Sequence, residues 1–334
     1  VLPSPELFVA MFIQKEALLS SQIEGTQSSL TDVLGADEEH IPTVDVGEVV
    51  NYVKAMRYGL HRLQQDEFPM SLRLLREIHG VLMQAVRGGI STLTPGEFRS
   101  GQNWIGGANL KTARFIPPPV EEMHASLDKL EKYLYQENDL PVLVQCALIH
   151  YQFETIHPFN DGNGRLGRLL ITFFLVWRGV LEEPMLYLSA YLKTHQQEYY
   201  DRLMQVRNSG NYEAWVKFFL EGVITVSEQV VSTTKRLQQL ERVHTDRLIA
   251  ANAGQEGIRL LRYLMQQPVV MVKDITKALK ISYGKANKLI ATFESAGLLE
   301  QINQGRRNRR FAYKDYIDIL AEGTEMTMDN TANG

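Results

Sequence analysis

Apolar residues recur along most of this chain at spacings of three and four, the repeat of an amphipathic helix, and strict alternation is rare. This periodicity predicts helices over about 5–24, 46–64, 71–87, 119–136, 141–156, 163–179, 189–208 and 211–248. Prolines such as Pro69, Pro95, Pro141 and Pro158 punctuate them. One stretch breaks the pattern: EFRSGQNWIGGANLKTARFIPPP, from 97 to 119. Asn103, Gly106, Gly107 and Asn109 sit there among the β-favouring pieces WI and ARFI, which predicts a hairpin or flap. A long excursion of this kind inside a helical domain is more often functional than decorative.

Further on, ANAGQEG at 251–257 reads as a linker. Three helical pieces follow, EGIRLLRYLMQQ, VKDITKALKIS and YGKANKLIATFESAG, and then LLEQINQGRRNRRFAYK reads as two strands around a basic turn. That order is the one of a winged helix-turn-helix. The last residues, AEGTEMTMDNTANG, are small and polar and are expected to be disordered. The expected architecture is therefore mainly α: an N-terminal segment (1–45), a helical domain carrying a β-hairpin flap (46–250), a small winged helix-turn-helix (251–320) and a tail (321–334).

Composition narrows the classes. The 334 residues are 44% hydrophobic with a net charge of −4, so the chain has a large core and no polyelectrolyte character. Nucleic-acid contact would have to be local. The region 268–320 offers it, with six lysines and four arginines against three aspartates and two glutamates. Lys285 and Lys288 fall on the expected recognition helix, and Arg306, Arg307, Arg309 and Arg310 at the wing, as candidate DNA contacts. A protein-binding wing is the alternative. The single cysteine, Cys146, lies in the apolar run PVLVQCALIHYQF, which excludes an internal disulfide and predicts a buried thiol in a reducing compartment. The run LLITFFLVW is about half the roughly 18 residues a membrane helix requires, and VLPSPELF lacks the basic and apolar regions of a secretion leader. A cytoplasmic protein without a membrane partner is expected.

Residues 157–168 read HPFNDGNGRLGR, a mixture no core needs. Pro158 forces a turn after an apolar helix, and Phe159 is suited to pin the loop into the core. Glycines around Asn163 tolerate the dihedrals of an anion nest, and the helix that starts there adds its free N–H groups and positive dipole end. Arg165 and Arg168, three apart, share a helix face and could grip two phosphates. Asp161 is a hard oxygen ligand where magnesium would sit beside a polyphosphate, and His157 is the group able to take a proton near neutral pH.

HPFNDGNGRLGR resembles the signature of the Fic (filamentation induced by cAMP) family, H-x-F-x-(D/E)-G-N-G-R-x-x-R, at every defined position. The resemblance implies nucleotidyl transfer: AMP moves from ATP to a Ser, Thr or Tyr hydroxyl of a target protein, or of the chain itself, and pyrophosphate leaves. It makes His157 the general base and gives Mg2+ to Asp161. Gly162, Asn163 and Gly164 then cradle the phosphates, and Arg165 and Arg168 bind toward the β and γ ends. The flap would align the target as an added strand, and Tyr199 and Tyr200 are candidates for the nucleoside pocket. A phosphorylating relative carries lysine where this chain has Gly164, and glycine suits AMP transfer. The motif alone leaves phosphocholine transfer open.

A second piece, SSQIEGT at 20–26, closes a predicted helix on Glu24 and Gly25. A glutamate at a helix C-terminus is opposed by the dipole and calls for a compensating cation. Ser20-x-x-x-Glu24-Gly25 resembles the inhibitory motif S/T-x-x-x-E-G/N of many Fic proteins, which implies that Glu24 pairs with Arg168 and blocks the γ-phosphate. The combined expectation is an autoinhibited adenylyltransferase, with reverse deAMPylation as a secondary activity. The competing reading is a DNA-binding transcriptional regulator whose Fic-like domain senses nucleotide. His157 and Asp161 favour the enzyme, since sensing needs neither base nor metal ligand. The long helix at 211–248 leaves a homodimer open.

Overall fold

A computed structural model describes residues 6–36, 41–84, 94–137, 139–305 and 307–325. The helix α1 (Glu6–Ile23) is the centre of the arrangement. Phe8, Met11, Phe12, Ile13, Ala17, Leu18 and Leu19 are all buried and lie around its circumference, as in a helix that has no solvent face. It packs against α3 (Val44–Gln64) and α8 (Ser189–Thr194), and also touches α2 (Leu30–Leu34), α7 (Asn163–Trp177), α11 (Gly254–Gln266) and α14 (Lys314–Ala321). The short α2 escaped the periodicity because five residues cannot show it; it is started by a capping box between Ser29 and Asp32.

Around this axis lie α4 (Leu72–Leu82), α5 (Val120–Tyr135), α6 (Val142–Ile156), α9 (Gln196–Ser209) and the 39-residue α10 (Tyr212–Ala250). The helix expected over 189–208 is two helices: the backbone breaks at His195 (φ −112°, ψ 35°), whose ring stacks on Tyr191. The helix expected over 71–87 ends at Leu82, and 85–93 lie outside the described residues. The flap is less regular than a hairpin. Its two arms meet in one bridge, Ile105 with Phe115, and Gly106 and Gly107 turn the chain with positive φ.

The expected linker at 251–257 is only a tight turn, and α11 begins at Gly254. Then come β1 (Val269–Met271), α12 (Val272–Leu279), α13 (Tyr283–Ser295), β2 (Glu300–Gln301) and β3 (Arg310–Ala312), with sheet order β1-β3-β2, all antiparallel. The two strands around the basic turn are thus present, while β1 and α14 were not foreseen. The expected disorder from 321 onward is corrected for Glu322–Glu325: Thr324 is buried, and three carbonyls of the segment accept hydrogen bonds from α1 and α8 side chains. Residues 326–334 lie outside the described ones. Cys146 is buried and its thiol is pushed up by burial. Among the described residues no helix is long and apolar enough to cross a membrane.

The approach of α3 to α7 depends on Gly59. A Cβ there would lie 2.4 Å from the ring of Phe173, a fully buried residue. Gly59→Ala is expected to lower the unfolding free energy by about 1–3 kcal/mol, the usual cost of overpacking a core, read as a fall in the urea midpoint at unchanged slope.

Candidate active site

The motif loop joins α6 to α7. His157 ends α6 in the left-handed region (φ 48°, ψ 61°), an unusual conformation for a residue with a side chain and one that needs external support. The support comes from the flap's base. The fully buried Arg99 donates through Nε to the His157 carbonyl (3.1 Å), and Asn103 Nδ2 donates to the carbonyls of His157 (3.2 Å) and Phe159 (3.0 Å). Phe159 is the anchor expected, fully buried and stacked on His79 at 3.8 Å. His79 is held neutral, pushed down to about 4 by burial. Its Nδ1 accepts the Gly96 N–H (2.9 Å), which leaves Nε2–H to donate to the Asp161 carbonyl (3.0 Å). Arg99, Asn103 and His79 were not foreseen. Their partners are backbone carbonyls far away in sequence, and no local spacing encodes those.

Each motif residue has a definite place. Asn163 closes the loop: its Oδ1 accepts from Phe159 N (2.9 Å) and its Nδ2 donates to Phe159 O (2.8 Å). Only its main-chain N–H at the start of α7 remains for an anion, so the cradle is one of backbone rather than of the Asn163 side chain. Gly162 caps α7 with φ 77°, and a Cβ there would meet Met83 Sδ at 2.6 Å. The Asp161 carboxylate is 54% exposed, with one oxygen accepting the Gly162 N–H (2.6 Å).

Arg165 and Arg168 do not act as one face. Arg165, 4% exposed, pairs with Glu48 of α3 (3.1 Å) and reaches toward Asp161 at 3.8 Å. Arg168, 2% exposed, turns instead to α1. Its Nη2 meets Glu24 Oε1 at 2.6 Å and the Ser20 carbonyl at 3.0 Å, and its Nε donates to Ser20 Oγ at 2.7 Å. A buried guanidinium needs its own counter-charge. The carboxylates they pair with stand apart, Glu48 on α3 and Glu24 just past the end of α1, and this separates the arginines. Burial alone would raise the Glu24 carboxyl, but the Arg168 guanidinium beside it holds it below the usual range. Gly25 follows with φ 94° and lets the chain leave α1.

A 240 Å³ cavity joins these parts, lined by Glu24, Glu154, His157, Gly164, Arg168, Tyr199, Tyr200, Arg207 and the flap residues Ile105, Arg114 and Phe115. Asp161 and Arg165 are not among its lining residues. His157 is pushed down to about 4, chiefly by burial and against the opposing pull of Glu24. It is a neutral base at physiological pH. Tyr199 is a core residue as much as a lining one, its hydroxyl 2.9 Å from His150 Nε2. Tyr200 lies half-buried with the Arg114 guanidinium 5.9 Å from its ring centre. Arg207 lies 3.7 Å from the centre of the Phe115 ring and seats the flap against α9.

The basic residues of the C-terminal module are unequally available. Lys285 is paired with Glu256 and Arg309 with Asn287, both at 2.5 Å. Arg310 is turned inward, its Nη1 donating to the Gly35 carbonyl at 2.6 Å, and so does not belong to an outward basic wing. Lys288 and Arg307 are exposed, and Arg306 lies outside the described residues.

Comparison with known proteins agrees with this geometry. The Fic/DOC family matches residues 69–175, and the N-terminal region of the same family matches residues 1–61. The chain is similar to the protein adenylyltransferase Fic of Aedes aegypti, with 26% identity over 259 residues, 77% of this chain and 47% of the relative. The Culex quinquefasciatus protein of that name is 31% identical over 199 residues, 59% of this chain and 36% of the relative. The chain thus spans less than half the length of these relatives. In fold it is similar to a Fic family protein from Desulfovibrio desulfuricans G20 (TM-score 0.57, 21% identity, 93% of this chain and 88% of that one). It is similar also to a Fic domain containing signaling protein from Bacteroides thetaiotaomicron VPI-5482 (TM-score 0.56, 20% identity, 70% and 91%). With both regions of the family matched in order around a complete motif loop, the chain belongs to the Fic/DOC family.

Proposed function

We propose that the chain is a protein adenylyltransferase that moves AMP from ATP to a protein Ser, Thr or Tyr hydroxyl and rests in an autoinhibited form. The observation that carries this reading is the juxtaposition, in one cavity, of a neutral His157, the start of α7 and an Arg168 already engaged by a carboxylate. His157 takes the proton of the incoming hydroxyl as its oxygen attacks the α-phosphorus, and the bond to the departing pyrophosphate breaks. The free N–H groups of α7 and the Arg168 guanidinium neutralise charge on the polyphosphate, so most of the work is positioning and electrostatics. The exposed Asp161 carboxylate suits one ligand position of Mg2+. Among the described residues there is no cluster of three or more His, Cys, Asp or Glu that could hold a metal. The remaining ligands would then be phosphate and water oxygens, as magnesium prefers. Bound there, magnesium would offset phosphate charge. The target would lie along the flap, where Trp104, Leu110 and Ile116 are exposed beside a backbone paired at one bridge.

Autoinhibition follows from competition for one guanidinium. Glu24 Oε1 sits where a Cβ on Gly164 would be, 2.3 Å away, at the first turn of α7 and on Arg168. A terminal phosphate needs the same two features. Holding the site 99% closed requires only about 2.7 kcal/mol, within the roughly 1.5–3 kcal/mol of a hydrogen bond to a charged group; Arg168 is 2% exposed here and Glu24 35%.

With α-labelled ATP and magnesium, Glu24→Gly should raise incorporation into the chain or a lysate target at least about tenfold, one decade for each 1.4 kcal/mol released. His157→Ala should abolish it in both backgrounds. Equal labelling by Glu24→Gly and the parent would refute the inhibitory assignment. Absence of label in every variant, with ATP bound, would refute the transferase.

The pH profile gives a separate check. His157 is pushed down to about 4 and Glu24 opposes that shift, so loss of Glu24 should move the base lower still. The activity of Glu24→Gly should stay level from pH 8 down to about 5, below the ordinary imidazole range near 6.5. An acid limb centred near 6.5 would show that His157 is not held neutral by burial.

A further inference from the structure

Residues 322–325, expected to belong to a loose tail, are bound as a peptide on the side of α1 that faces α8. Lys15 Nζ of α1, 4% exposed, donates to the Glu322 carbonyl at 2.7 Å. Gln22 Nε2, 8% exposed, donates to the Thr324 carbonyl at 3.1 Å and also to the Ser28 carbonyl. Lys193 Nζ of α8 donates at 2.7 Å both to the Glu325 carbonyl and to Gln22 Oε1. The Glu322 carboxylate is clasped by both terminal nitrogens of Arg236 on α10, at 2.5 and 2.6 Å. Thr324 turns its hydroxyl back on the Ala321 carbonyl at 2.7 Å and is 6% exposed.

These are the parts of a peptide-binding cleft. Side chains from two helices, α1 and α8, read the backbone carbonyls of a segment that turns at Gly323, and an arginine fork on α10 reads one acidic side chain. Lys15 is costly to bury without an acceptor, and the Glu322 carbonyl supplies it, while Gln22 shares its amide between Ser28 and Thr324. The contact is also placed where it matters. Gln22 is two residues before Glu24, and beyond α2 the Gly35 carbonyl is held by Arg310 of β3. The C-terminal module therefore grips the polypeptide on both sides of the inhibitory glutamate.

We propose that residues 322–325 are a peptide ligand bound in cis, and that occupancy of this cleft keeps α1 in the position that lays Glu24 on Arg168. The ligand class is an acidic peptide that turns at a glycine, and the occupant is the chain's own segment 322–325. The proposal rests on the autoinhibited reading above and adds what holds the inhibitory helix in place.

The test compares the parent, a chain ending at Ala321, Glu24→Gly, and both changes together, by labelling with α-labelled ATP. The truncation should raise labelling at least about fivefold, the lower end of ordinary coupling between sites. It should add nothing in the Glu24→Gly background. A synthetic AEGTEMTMD peptide at millimolar concentration should bring the truncated chain back toward the parent's activity, and a scrambled peptide should not. Amide hydrogen exchange over residues 15–24 should speed up on truncation and slow again with the peptide, a readout independent of activity. A folded truncated chain with parental labelling and parental exchange would overturn the proposal. If the truncated chain does not fold, Lys193→Met combined with Arg236→Ala opens the same cleft and must raise labelling and exchange; unchanged values would overturn it equally. If Glu24→Gly is itself inactive while exchange responds as described, the cleft stands and the transferase reading falls.

Discussion

A guanidinium 2% exposed to solvent cannot stay without a counter-charge, and Arg168 organises the molecule around that requirement. One carboxylate answers it directly, and two more carboxyl groups feel its field. Glu24 makes the ion pair. Glu154, raised to about 7 by burial and further by Glu24, stands over Gly167 with an oxygen 2.3 Å from where a Cβ would be. Glu16, also raised to about 7 by burial, feels Arg168 while it accepts the N–H and hydroxyl of Ser189 and the hydroxyl of Tyr52. Gly164 and Gly167 are three apart on α7, and each leaves room for a carboxyl oxygen. The second half of GNGRLGR thus serves as a socket for acidic side chains as well as an anion nest. A methyl group at Gly164 would displace the Glu24 carboxylate from Arg168, and one at Gly167 would collide with Glu154.

The site is rigid for a second reason. His157 sits in a backbone conformation that few side chains adopt, and its carbonyl is held by two donors from the base of the flap. The same Arg99 has its N–H on the Pro158 carbonyl and its guanidinium on the carbonyls of Gly101 and Pro118. Flap and motif loop are therefore one hydrogen-bonded unit. A force on the flap, such as a target strand laid along it, acts on the residue that would take the target's proton.

Much of this was legible in the residue pattern. The helical periodicity located most of the helices to within a few residues, since buried stripes at 3.6-residue spacing are a local property. The motif loop was legible because twelve consecutive residues carry its chemistry, and SSQIEGT showed a glutamate where a helix dipole opposes it. What stayed hidden is non-local. Nothing in the spacing of Arg165 and Arg168 says that one meets Glu48 and the other Glu24, because the partners are set by how α1 and α3 pack on α7. Glu48, Arg99 and His79 each look like surface residues until the fold buries them. The break at His195 depends on a ring stacked on its own helix, which an apolar count does not register. Composition also misread residues 322–325: small polar residues signal disorder only where no buried donors wait for their carbonyls.

Those waiting donors connect the two ends of the chain. α1 is apolar around its whole circumference, yet it carries Lys15, Glu16, Ser20, Ser21 and Gln22 at buried positions. A buried polar side chain stabilises a helix position only when its partner is in place. Glu16 finds its partners on α3 and α8, Ser20 on Arg168, and Lys15 and Gln22 on the C-terminal segment. Displacing α1 far enough to free Arg168 would break all of these sets together. The Glu24–Arg168 contact is therefore only the visible end of a longer chain of polar matches, and its strength is distributed over residues that do not line the cavity. If the proposed autoinhibition holds, loosening any one of them is a route to freeing Arg168 without touching the motif loop.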